Sequence, residues 1–130
     1  MSIQWGRVLL GAFLMEVVLI AVALPLFFGG MQRVLVYVIP PAAFLATYAV
    51  TVWLGRGIHS KFVVHGVLIG VVGTLMYIGL TRGQPERWQY WLAHGLKVVG
   101  GAAGGMFLAR RQSVGSTAAS AGQDRSQLGR

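Results

Sequence analysis

The 130-residue chain contains no cysteine. That excludes disulfide bonds, thiolate metal sites and cysteine nucleophiles. Carboxylates are nearly missing too, with three Asp or Glu against eleven Lys or Arg. Charged residues of both signs make up only 11% of the chain, where a soluble domain carries about a quarter. Paired catalytic carboxylates, a phosphate-binding loop and a nucleophile beside a base are all lacking. Gly100-Gly101-Ala102-Ala103-Gly104-Gly105 is no nucleotide fingerprint, because no strand precedes it. The three histidines, His59, His65 and His94, are scattered and lack the spacing of a metal site. No metal, no cofactor and no enzyme activity is expected.

What fills the chain is apolar sequence, 55% of all residues. The net charge of +8 would suggest nucleic acid in a soluble protein. Here the basic residues sit at the ends of apolar segments, where anionic headgroups and the positive-inside rule account for them, so no nucleic-acid partner is expected.

The segment 91–108, WLAHGLKVVGGAAGGMFL, organises the rest. About 18 residues at ~1.5 Å rise span roughly 27 Å, enough for a bilayer core. Its glycines would weaken a helix in water. In lipid the backbone has no other hydrogen-bonding partner, so the helix persists and the glycines become flat surfaces for neighbouring helices. Three further apolar segments precede it, at 8–28, 34–54 and 62–80. The expected fold is all-α: a polytopic membrane protein with four transmembrane helices in an antiparallel bundle. The transmembrane domain covers 1–111, and the polar stretch 112–130 is expected to be a disordered cytoplasmic tail.

Pro40 and Pro41 lie in the second segment and should kink it. Gly66, Gly70 and Gly73 form one stripe on the third. Gly100/Gly104 and Gly101/Gly105 fit small-xxx-small packing on the fourth, which serves contacts within the chain, a homodimer or a membrane-protein partner equally well. The residues Ala21-Val22-Ala23 resemble a signal-peptide cleavage site, but the segment runs on to spanning length and carries Glu16 in its middle. Four crossings put both termini on one side, together with Arg7, Arg56, Lys61, Arg110 and Arg111. The opposite side carries Arg33, Arg82 and Arg87, offset by Glu86. This bias points to a bacterial-type inner membrane protein with both termini cytoplasmic.

Glu16 is the strongest candidate for chemistry. A carboxylate near the bilayer centre costs about 2.5–3.5 kcal/mol even on insertion scales, so it is either a proton- or cation-binding group or a fastener between helices. Lys97 lies at a similar depth and is its natural partner, unless it snorkels to the headgroups. His94 stands one turn from Lys97 on the same face, so the three residues form a candidate buried polar cluster and proton or ion site.

Leu14-Met15-Glu16-Val17-Val18 resembles the first helix of the small multidrug resistance transporters, short four-helix proteins with one essential glutamate in helix one. The likeness covers this segment and the helix count. It implies proton-coupled export of cationic compounds by a dimer, with Glu16 as the proton site. The third segment has no central tryptophan motif like theirs, and their fourth helix has nothing like Lys97. Two functions are carried forward. One is a structural, accessory or assembly protein packing through glycine-rich faces. The other is a small proton-coupled transporter using Glu16.

Overall fold

The computed structural model describes residues 2–85 and 87–129. Among these the chain is all-helical, with four long helices and no strand. α1 is Trp5–Phe28, α2 Gln32–Leu54, α3 Phe62–Thr81 and α4 Trp88–Leu128. A single 3-10 turn at Gly55–Gly57 follows α2. Each of the four is long and apolar enough to cross a membrane.

The burial pattern explains why these segments assemble. In α1 the buried residues are Val8, Gly11, Ala12, Met15, Glu16 and Leu19, one stripe at the three- and four-residue spacing of a helix face. In α4 the stripe is Ala93, His94, Lys97, Gly100, Gly101, Gly104 and Gly105. The inward face of α4 is thus the small and polar one. Outward faces hold large apolar groups such as Phe13, Leu45, Leu75, Trp91 and Phe107. This inverts the arrangement of a water-soluble bundle and suits helices whose surroundings are themselves apolar.

α4 packs between α2 and α3, and α1 closes the bundle against the same two helices, leaving α1 and α4 diagonal to each other. The GGAAGG run is two interleaved contact motifs aimed at different neighbours. A Cβ at Gly101 or Gly105 would strike the backbone of α3, at the Gly66 carbonyl and at Phe62 and Val63 respectively. A Cβ at Gly100 would strike the Phe44 carbonyl of α2, and one at Gly104 would press on Thr51 and the Tyr48 carbonyl. Of the α3 stripe, Gly66 and Gly70 abut α4, whereas Gly73 abuts Met15 and Glu16 of α1. All seven predicted packing glycines therefore serve contacts inside this chain.

α2 runs as one helix through Pro40 and Pro41. The prolines remove two amide donors, which frees the carbonyls of Val36 and Tyr37 from their usual partners. The first loop turns at Gly30, whose φ of +71° suits a residue without a side chain. On the face carrying the termini, the start of α1 is tied down by side chains. Arg7 donates to the Leu54 carbonyl at 3.2 Å, and the Gln4 amide donates to His65 Nε2 at 3.2 Å. His65 Nδ1 lies 2.9 Å from the Lys61 carbonyl, which can only accept, so Nδ1 carries the proton of a neutral ring.

The tail departs from expectation. Instead of ending near Leu108, α4 continues as helix to Leu128, and residues 109–129 are all exposed. Helix nucleation is the costly step, and here the packed half of α4 supplies the nucleus. Ala118, Ala119 and Ala121 favour propagation. Ser113, Ser116, Thr117, Ser120 and Ser126 bond back to carbonyls three or four residues earlier, so their hydroxyls do not compete for the helix.

Candidate functional site

Glu16 and Lys97 meet across the bundle diagonal. Lys97 Nζ donates to Glu16 Oε1 at 2.5 Å, with the residues only 2% and 5% exposed. α1 and α4 share little backbone contact, and the long lysine stem bridges them. The third helix makes room. A Cβ at Gly70 would sit 2.8 Å from the Lys97 carbonyl, and one at Gly73 would sit 3.2 Å from Glu16 Oε1. At these two positions α3 thus presents backbone alone to the ion pair, and its nearest side chain there comes one turn further on, at Tyr77. The pair is internally satisfied, which matters because either charge alone in this apolar interior would be expensive.

Aromatic groups surround the pair. Lys97 Nζ stands 5.3 Å from the centroid of the Tyr77 ring, within cation–π range. Tyr77 and His94 have ring centroids 5.0 Å apart, and Trp91 meets His94 edge-on at 6.0 Å. The candidate cluster of Glu16, Lys97 and His94 accordingly lines one cavity of about 180 Å³, together with Tyr77, Tyr90 and aliphatic groups from α1 and α2.

The cavity extends from the ion pair toward the face opposite the termini. Toward the termini, the interior is closed by backbone contacts at Gly66, Gly101 and Gly105 and by Val8, Leu54 and Ile69. Met15 fills the space beside the pair, its sulfur against the Thr47 hydroxyl, which also lies 2.7 Å from the Ala43 carbonyl. Toward the opposite face the cavity remains.

The other sequence candidates separate. His59 is exposed in the loop after α2, whereas His65 is buried in its clamp at the start of α3. Among the described residues no three metal-ligating side chains gather. Tyr77 was not visible as a site residue from sequence. Its signal is helical spacing from Gly66, Gly70 and Gly73, which places it on that same inward stripe. Tyr90, in the first turn of α4 between Trp88 and Trp91, also lines the cavity.

Compared with known proteins, the chain matches no family model, no curated protein and no solved structure.

Proposed function

We propose that this chain is a multi-pass inner-membrane protein with both termini cytoplasmic, and that it serves as a structural or accessory component rather than as an enzyme. The observation that carries this reading is the Glu16–Lys97 ion pair. Among the described residues the only buried carboxylate is already engaged, and it fastens two helices that lie diagonally across the bundle. The glycine faces support the same reading in modified form. They hold the four helices together, so a second copy or a membrane-protein partner would use the outward apolar faces instead.

Proton-coupled transport is the second reading, favoured by the cavity that reaches Glu16. Alternating access would require the glycine-packed half to open. There α3 and α4 touch backbone to backbone, an arrangement that favours a rigid wall over a gate.

A double-mutant cycle decides between them. Removing one member of a buried pair costs about 3–5 kcal/mol, whereas removing both costs far less. Glu16→Gln and Lys97→Met, made singly and together, are compared by reversible unfolding in mixed micelles. Strong coupling is expected, with no proton flux in proteoliposomes. Small additive effects together with Glu16-dependent proton flux would replace the accessory reading with the transporter.

A further inference from the structure

The ion-pair cavity does not end blindly. Leu35, Tyr77 and Tyr90 also form part of a second cavity, about 500 Å³, on the face opposite the termini. The two spaces differ in chemistry. The inner chamber is walled mostly by aliphatic groups such as Leu19, Ala23 and Ile39, with the neutralised Glu16–Lys97 pair at its floor. The outer vestibule is lined by Gln32, Arg33 and Arg87 as well as Phe27 and the two tyrosines. Arg33 lies in the first turn of α2 and Arg87 caps α4. Neither helix start has a side-chain cap or an acidic residue in its first turn. Among the described residues that line the mouth the charged groups, Arg33 and Arg87, are both basic, so positive charge stands at the mouth and apolar surface at depth.

We infer that this two-part cavity binds a small amphiphilic monoanion, its carboxylate or phosphate head at Arg33 and Arg87 and its apolar body in the chamber above the ion pair. This goes beyond the accessory role and does not depend on it.

Each part limits the ligand. A chamber near 180 Å³ slightly exceeds the roughly 150 Å³ apolar cavity that accepts a benzene molecule. It thus takes a single ring or a short chain, not the two acyl chains of a phospholipid. An anion placed at the chamber floor would face the Glu16 carboxylate, because Lys97 is already committed to it. At the mouth the same charge meets two arginines in a partly hydrated setting, where desolvation is cheap. Head outward and body inward is the orientation that satisfies both.

The test uses the full-length protein in phosphatidylcholine nanodiscs, titrated calorimetrically with cyclohexanecarboxylate. Saturable binding to one site is expected. Cyclohexylmethanol, which keeps the ring but lacks the charge, and acetate, which keeps the charge but lacks the ring, should each bind at least tenfold more weakly. Arg33→Gln with Arg87→Gln should weaken the carboxylate at least tenfold and leave the alcohol unchanged, because both arginines are exposed and carry no packing role. Ala23→Phe, at a half-buried wall position, should remove binding of both ring compounds without lowering the unfolding midpoint. Equal binding of acetate and the ring acid would overturn the proposal, since the chamber would then contribute nothing. So would an affinity indifferent to the arginines. Phosphatidylglycerol that competes equally well in native protein and in Ala23→Phe would show a headgroup site alone, and would overturn it too.

Discussion

Adding one methyl group at chosen glycines of α4 should produce effects of opposite sign within a single helix. At Gly101 the new Cβ would overlap the Gly66 carbonyl, which is main chain and cannot rotate aside. α3 and α4 must then separate, which also lifts Gly70 and Gly105 from their contacts. Overpacking of this kind costs about 1–3 kcal/mol, and the rigid backbone places Gly101→Ala at the upper end. At Gly104 the nearest atoms are Thr51 Cβ at 3.0 Å, Thr51 Cγ2 at 3.1 Å and the Tyr48 carbonyl at 3.1 Å. Those neighbours need to yield only a few tenths of an ångström, so Gly104→Ala should cost about 1 kcal/mol or less. Gly95 has nothing within 4 Å of a built Cβ and faces outward. There alanine gains only its better helix propensity, and Gly95→Ala should stabilise by about 0.5–1 kcal/mol. Unfolding by sodium dodecyl sulfate in mixed micelles, followed by circular dichroism, gives the three values under one condition. The expected order of stability is Gly95→Ala, then the unaltered chain, then Gly104→Ala, then Gly101→Ala. If Gly101→Ala unfolded at the same point as Gly95→Ala, the close approach of α3 and α4 would be refuted.

Two further outcomes can be checked directly. Because the chain has no cysteine, Gly83→Cys and Ser116→Cys each provide a unique thiol. A membrane-impermeant maleimide added to intact cells should label the first and spare the second, and the reverse pattern would invert the proposed orientation. His65→Phe keeps a ring of similar size but removes both hydrogen bonds of the terminal clamp. A loss of about 1–2 kcal/mol is expected, with faster hydrogen exchange at the Gln4 amide. Unchanged exchange would show that the clamp does not hold the start of α1.

Much of the candidate site was legible from spacing. Glu16 and Lys97 are each costly in an apolar setting, and counting residues from the helix ends puts them at similar depths. A lysine stem then has one economical solution. His94 follows because three residues along a helix return to nearly the same face. Other features were not legible, because they depend on which helices become neighbours. Tyr77 joins the site only when α3 lies beside the Glu16–Lys97 diagonal. His65 becomes a clamp only when the start of α1 reaches it. The tail misled for a different reason: its polar composition argues against burial, and it is indeed unburied, but a helix extended from a packed segment needs no burial to begin.

The amino-acid sequence by itself determined that there would be four apolar helices, where three of them end, and that the fourth would present glycines for close contact. Those properties follow from length, hydropathy and the lack of a backbone partner in lipid, which act locally. Tertiary structure decided which glycine pair serves which helix, placed α1 and α4 on a diagonal, and left a cavity on one side of the ion pair. In helices apolar on nearly every face, hydrophobicity does not mark an inward side. Only the fit of small residues against neighbouring backbones selects it, and that fit exists once the helices have come together.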